Sequence, residues 1–191
     1  MRLLEDRIKL DGKVLRGNVL KVDSFLNNQI DVELLVELGK EIYSRFKDCG
    51  VNKIVTIEAS GIALASITAQ FFHCKMIFAK KSKTSNMSND VYVSSAYSFT
   101  HNVTNNVVVS KEYLSEKDNV LLIDDFLANG EALNALIDIV NQAGATLKGI
   151  AVAIEKGFQG GGDKLRAKGI DLLSLAIVDK MDENGIVFRQ Q

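Results

Sequence analysis

The chain of 191 residues contains no proline and no tryptophan, and only two histidines and two cysteines. Without proline, its tight turns must be shaped by glycine, asparagine and aspartate. Cys49 and Cys74 make no disulfide framework for a chain this long, and both sit among apolar residues. A reduced, cytoplasmic compartment is the simpler expectation. His73 adjoins Cys74, but two ligands are too few for a metal site and no further ligands lie nearby in sequence. That pair and the isolated His101 are therefore expected to serve packing or surface. Charge surplus is lacking too: 23 Lys and Arg against 24 Asp and Glu leave a net charge of -1. Nothing general then draws the chain to nucleic acid or to an acidic membrane. No apolar run approaches the roughly 20 residues that span a bilayer. The opening stretch MRLLEDRIKLDGKVL lacks the apolar centre of a signal peptide and reads as an amphipathic first helix.

What is present is an ordinary globular balance, 47% hydrophobic and 25% charged, which suits one domain with a sizeable core. No repeat, linker or low-complexity tract interrupts it. Strand and helix patterns alternate instead. Asp31 can cap a helix in which Leu35, Leu38, Ile42 and Phe46 recur, with Gly50 as its stop. KIVTI (53–57) reads as a strand, GIALASITAQFF (61–72) as a buried helix and KMIFAK (75–80) as a second strand. The polar stretch 80–90 is expected to be a long loop, and 91–99 with 105–110 an antiparallel pair. VLLID (120–124) reads as a fully buried strand, followed by a helical stripe of Leu133, Leu136, Ile137 and Val140 that stops at Gly144. GIAVAIE (149–155) is another buried strand. A short helix around 163–168, opened by a flexible GGG turn, precedes strands near 172–178 and 186–188.

Continuous apolar strands alternating with helices predict an α/β fold with a mostly parallel central sheet flanked by helices. Ligands of such sheets bind beyond the carboxyl ends of the strands. Attention therefore falls on the residues after Ile57, Ile123 and Ile154: Glu58, the pair Asp124–Asp125, and Glu155 with Lys156. Adjacent buried carboxylates repel each other and are costly to desolvate unless something binds them. They could simply end a strand near a helix N-terminus. The small residues ANGEA (128–132) change that balance, because a glycine-containing helix start presents backbone N–H groups to a phosphate. Acids that accept from vicinal hydroxyls, beside amides that donate to a phosphate, fit a sugar phosphate.

VLLIDDFLANGEAL (120–133) resembles the phosphoribosyl pyrophosphate motif of the type I phosphoribosyltransferases. Its DDFLANG form resembles the xanthine-using branch, as do LKVDSFLNNQID (20–31), KIVTIEASGIA (53–63), AYSFT (96–100) and IEKGFQ (154–159). The resemblance runs along nearly the whole chain. It implies a single domain over 1–191 with hood elements from about 1–30 and 155–191 and a flexible lid loop. It implies that Asp124 and Asp125 hold the ribose hydroxyls and that Ala128, Asn129, Gly130, Glu131 and Ala132 cradle the 5′-phosphate. Glu58, Ala59, Ser60 and Gly61 become a pyrophosphate loop, and Lys80, Lys81 and Lys83 a lid whose Lys81 acts on the leaving group. Leu20, Asn27 and Lys156 become contacts to xanthine, with Phe126 and Phe158 as candidates to stack on it. Many members carry threonine in the phosphate loop where Asn129 stands here, so backbone amides must do more of the binding.

The implied reaction transfers phosphoribosyl from phosphoribosyl pyrophosphate to xanthine, with magnesium carried by the pyrophosphate and no metal ligands assigned in the chain. The resemblance also implies a homodimer. Hypoxanthine or guanine as the base, or a non-catalytic sensor of phosphoribosyl pyrophosphate, stay open alternatives. No added basic DNA-binding region accompanies the domain, which disfavours the sensor.

Overall fold

The computed structural model describes residues 1–81, 90–98, 103–182 and 185–190. Its backbone is a six-stranded sheet whose central strands are the β-branched and aliphatic runs of the sequence. These are β3 (Lys53–Ile57), β4 (Lys75–Ala79), β7 (Asn119–Leu127), β8 (Thr146–Lys156) and β9 (Leu172–Asp182), closed at one side by β10 (Gly185–Phe188). The order is β10-β9-β8-β7-β3-β4, parallel throughout except for the antiparallel β9–β10 pair. Two short antiparallel pairs stand outside it. One joins β1 (Lys13–Leu15) to β2 (Val19–Lys21), the other β5 (Val91–Ser98) to β6 (Val103–Ser110).

Alternation along the strands builds two cores. Leu121 and Ile123 of β7 face one core, together with α1 (Arg2–Asp11), α2 (Val32–Phe46) and α3 (Gly61–Phe72). Val120 and Leu122 face the other, against α4 (Glu131–Gln142), α5 (Gly161–Ala167) and the β6 strand. Each of these aliphatic side chains is fully buried, and burial of this kind contributes about 1.5–3 kcal/mol per residue. Helix α2 starts where Asp31 was expected to cap it, the carboxylate accepting from Leu34 N–H at 3.1 Å. No described helix is long and apolar enough to cross a membrane.

Several boundaries differ from the pattern. β7 does not stop at Asp124 but runs on to Leu127, because β8 keeps pairing with it as far as Leu127↔Glu155. The paired acids thus lie within a strand rather than at its tip. Helix α2 ends at Phe46, and a turn leads to Gly50, whose φ of +70° suits glycine. A short π-helical turn over Asp23–Asn27 carries no periodic signal of its own. His73 ends α3 in the left-handed conformation, its N–H donating to Ala69 and Gln70 carbonyls, a capping role that needs no metal. Cys74 and Cys49 are both free and packed against the first core, and burial pushes the Cys74 thiol up. Lys83 and His101, together with Phe99 and Thr100 of the AYSFT motif, lie outside the described residues.

The GGG run is not a loose turn. Gly161 and Gly162 are buried at the start of α5. A Cβ on Gly162 would stand 2.1 Å from Glu155 Oε1. Glu155, expected near the ligand crevice, is fully buried instead. Its carboxylate accepts from Arg166 at 3.0 and 2.7 Å and from Ser174 Oγ at 2.5 Å. Helix α5 is thereby tied to β8 and β9. Replacing Arg166 with methionine strands a buried carboxylate. The expected loss is about 3 kcal/mol, at the low end for broken buried pairs because the guanidinium is one-third exposed. Urea unfolding at constant m-value measures it, and a loss below roughly 1 kcal/mol would show the pair to be an ordinary surface contact.

Candidate active site

The connection after β3 runs through α3 outward to β4, whereas the connection after β7 runs through α4 to β8 on the opposite side. The strand order therefore reverses between β3 and β7, and a crevice opens there at the carboxyl ends. β3 pairs with β7 only as far as Val55↔Leu122. Beyond that point the start of α3 fills the gap. A Cβ on Gly61 would lie 2.3 Å from Thr56 Oγ1 and 3.1 Å from Asp124 Oδ1, so only glycine lets α3 begin this close to the acid pair.

Asp124 is 5% exposed, and its Oδ1 accepts from the Asp125 backbone N–H at 2.9 Å. Burial pushes its carboxyl well above the usual carboxylate range, and the charge of Asp125 pushes it further. The Lys81 ammonium opposes the shift, which brings the root of the predicted lid within electrostatic reach of the acid. Lys81 is anchored there by its N–H donating to Glu58 Oε1 at 2.7 Å, while Glu58 N–H donates to Ala79 C=O at 3.0 Å. The expected pyrophosphate loop, Glu58 to Gly61, thus joins the tip of β3 to the start of α3 and holds the residue that leads into 82–89. Its Glu58–Ala59 peptide is cis. Lys80 goes elsewhere. Its backbone exchanges hydrogen bonds with Val108, and it lines a separate cleft of about 600 Å³ along β4 with Lys53, Lys75 and Tyr113.

Two helix starts flank the crevice without side-chain caps: Ser60 before α3 and Gly130 before α4. Their first-turn N–H groups keep the capacity to bind anions. Ala128, Asn129, Gly130, Glu131 and Ala132 line one cavity of about 240 Å³ together with Phe126, Lys156 and Gln159. Gly130, at φ +91°, turns the chain from strand into helix, and its carbonyl accepts from Asn134 N–H at 2.8 Å. Gly161 supports this loop from behind. A Cβ there would come within 2.1 Å of Ala128 C=O and 2.9 Å of Gly130 N. The GGG run by itself predicts a flexible turn at this glycine. Its role is close approach, and only the spatial partner reveals it.

The predicted base residues converge only in part. Lys156 ends β8, half-buried, with its ammonium 5.7 Å from the Phe126 ring centroid and donating to Asn18 C=O at 3.1 Å. That bond ties the β1–β2 turn to the cavity wall. Burial pulls the Lys156 ammonium below the ordinary lysine range. Leu20, on β2, is buried within the first core. Asn27 ends the π-helical turn, with its Oδ1 buried and unpaired among the described residues. Phe126 lines the cavity, whereas Phe158 is 39% exposed and does not. Among the described residues no three His, Cys, Asp or Glu side chains gather to hold a metal.

This arrangement can grip a ligand with anionic groups at both ends and hydroxyls between them. The phosphoribosyl transferase domain family matches residues 21–184, and the chain belongs to that family. It is 54% identical over 190 residues to "Xanthine phosphoribosyltransferase 2" of Clostridium botulinum (strain Langeland), covering 99% of this chain and 100% of that one. It is 50% identical over 191 residues to the "Xanthine phosphoribosyltransferase" of Bacillus cereus (strain ZK / E33L), covering 100% and 97%. The fold is that of the type I phosphoribosyltransferases. The APRTase of Giardia lamblia complexed with 9-deazaadenine superimposes with a TM-score of 0.78 at 25% identity, over 93% of this chain and 98% of that one. The adenine phosphoribosyltransferase of Trypanosoma brucei does so at 0.77 and 17% identity, over 95% and 82%.

Two outcomes follow from the geometry. Asp124→Asn keeps the acceptor for Asp125 N–H but removes a poorly solvated charge. For a carboxyl with a raised folded-state pKa, stability is fullest below the ordinary carboxylate pKa and is lost as pH rises through the folded one. Above the ordinary carboxylate range the wild type gives that stability up, so at pH 7 the variant should melt higher, by about 2–4 °C for each kcal/mol regained, and the gain should shrink toward pH 4. A lower melting temperature at pH 7 would show that the ionised acid is stabilised by partners. Gly161→Ala should displace the 128–130 peptides and raise the KM for a phosphorylated ribose substrate about tenfold or more; an unchanged value would mean that α5 yields instead.

Proposed function

We propose that the chain transfers the 5-phosphoribosyl group of phosphoribosyl pyrophosphate to N9 of xanthine, giving xanthosine 5′-monophosphate and pyrophosphate. The observation that carries this reading is the shared crevice. The 128–132 loop and the half-buried Lys156 line one cavity, and the carboxylate pair and the uncapped start of α3 stand close by at the reversal of strand order. The names borne by relatives of about half-identical sequence support the choice of base.

On this reading the first-turn amides of α4 and its preceding loop, 128–132, hold the 5′-phosphate. Asp124 and Asp125 accept from the ribose hydroxyls, and Glu58, Ala59, Ser60 and Gly61 meet the pyrophosphate. Desolvation makes Asp124 costly as a free anion, and hydroxyl donors return what water no longer supplies. The C1′–O bond to pyrophosphate breaks as N9 bonds to C1′ with inversion, and the proton carried by the base is lost to solvent. The fixed sugar replaces an entropic barrier worth up to about 7–11 kcal/mol in well-oriented model reactions. Lys81, held at the mouth by Glu58, steadies the negative charge of the leaving group.

Lys156 gives the base its charge preference. Burial disfavours an ammonium with no anionic partner, so an acidic dioxopurine, or its anion, is a partner that restores it. The same lysine disfavours a 6-amino group. Leu20, as an apolar wall, and Asn27, as a polar edge, are assigned to the base by the family resemblance, although neither lines the cavity with Lys156.

The donor set suits magnesium that arrives with the substrate. Mg²⁺ is commonly held by one or two carboxylates plus substrate phosphates, and Asp124 with Asp125 offers such a pair without a resident cluster. When bound, the ion offsets the charge of the pyrophosphate. The chain works as one domain, its hood drawn from about 1–30 and 155–191. Helix α1 against β9 and β10, and the Lys156–Asn18 bond, support that division. A homodimer in a reducing cytoplasm completes the reading.

Turnover of xanthine, guanine, hypoxanthine and adenine with phosphoribosyl pyrophosphate and magnesium tests it, beside Asp124→Asn/Asp125→Asn. Xanthine should be preferred, and the double variant should lose at least about a hundredfold in kcat/KM. Preference for another base would keep the chemistry and sink the pocket assignment. Tight binding of phosphoribosyl pyrophosphate with no turnover of any base would make the protein a sensor.

A further inference from the structure

We propose that Gln159 is a further specificity-determining residue, its side-chain amide oxygen accepting a hydrogen bond from a ring N–H of the purine base; this rests on the function proposed above. Gln159 lines the same cavity as Lys156, Phe126 and the 128–132 loop. Its Oε1 is buried and has no hydrogen-bond partner among the described residues. A buried acceptor without a donor is costly and rare, and a bound ligand is one way to supply the donor.

Gln159 stands close along the chain to Lys156, the residue assigned to the base. Gly157–Gln159 is a single 3₁₀ turn that begins directly after Lys156. Lys156 before the turn and Gln159 at its end both line that cavity. The turn is also clamped. Gly160 N–H donates to Gly157 C=O at 3.0 Å. A Cβ on Gly157 would stand 2.6 Å from Asp179 Oδ1 and 2.9 Å from an Arg189 guanidinium nitrogen. Arg189 in turn pairs with both Asp179 and Asp163, at 2.8 and 3.0 Å. Gly161, two residues beyond Gln159, is seated against Ala128 and Gly130. Held on both sides, the turn keeps the amide in the cavity with its oxygen unpaired.

The chemistry of a dioxopurine matches this pair of neighbours. Its ring alternates carbonyl oxygens with N–H donors. A lysine that donates to a carbonyl therefore leaves the adjacent N–H to seek an acceptor. Asn27 Oδ1, the other unpaired oxygen among the residues assigned to the base, adds a second acceptor for such donors. Binding specificity of this kind comes from polar groups left unpaired when the wrong ligand enters.

The test is steady-state kinetics of Gln159→Leu and Gln159→Met, which keep much of the volume and remove the amide. Wild-type turnover of xanthine is measured first. Its absence would sink the underlying function, whereas its presence makes the variants a test of Gln159 alone. The expected result is a KM for xanthine raised about tenfold in both variants, a KM for phosphoribosyl pyrophosphate within about twofold of wild type, and an unchanged or higher melting temperature. An unchanged KM for xanthine overturns the assignment. So does a parallel rise in both KM values, which would put the amide on the sugar phosphate or in a structural role.

Discussion

The desolvated carboxylate pair at the reversal of strand order is the constraint from which the rest of the site follows. Asp124 is buried in a strand core, next to a second acid and with one backbone amide as its partner. Such a group weakens the empty protein and is useful only when a ligand brings donors. Its surroundings are arranged accordingly. α3 starts at a glycine so that its backbone can close on the acid, and Lys81 is held where its charge reaches Asp124. The helix starts on either side lack side-chain caps, which leaves their amides for anions. Stability is given up at the point where binding is needed, a trade common at functional sites.

That local cost is tolerable because the sheet beneath is overdetermined. Leu121 and Ile123 face one core while Val120 and Leu122 face the other, all fully buried. Pairing with β8 carries β7 three residues beyond Asp124, so the acids sit on a braced strand rather than a free loop. β3 stops pairing with β7 after Val55↔Leu122, and the start of α3 closes on the acid pair there. Rigid strands on one side and helix starts on the other hold the acid pair and the anion-binding amides in place, as the function proposed above requires.

Much of this was legible in the chain itself, for physical reasons. Buried parallel strands are continuous apolar runs, so β3 and α3 were located to the residue and β8 nearly so. The acid pair and the small-residue turn adjoin in sequence, so their joint meaning was readable without coordinates. What escaped depends on contacts between distant residues. Glu155 follows an apolar run just as Asp124 does, yet Arg166 and Ser174 withdraw it from the crevice. The glycines at 161 and 162 resemble a flexible turn until Ala128 and Glu155 are seen against them. Phe158 and Phe126 looked equivalent as stacking candidates, and only the fold separates an exposed ring from one that lines the cavity.

The segment 156–162 joins the N-terminal hairpin, the cavity wall and the 128–130 loop. Lys156 closes β8 and reaches back to Asn18, joining the N-terminal hairpin to the sheet. Three residues later Gln159 enters the cavity, and two after that Gly161 bears on the loop at 128–130. Glu155, immediately before, anchors the start of α5 through Arg166. A displacement of this segment therefore cannot move Lys156 and Gln159 without also pressing on the 128–130 loop. Packed interiors transmit such shifts because they are close to incompressible. On the function proposed above, one stretch of backbone bears on both the residue assigned to the base and the loop assigned to the phosphate.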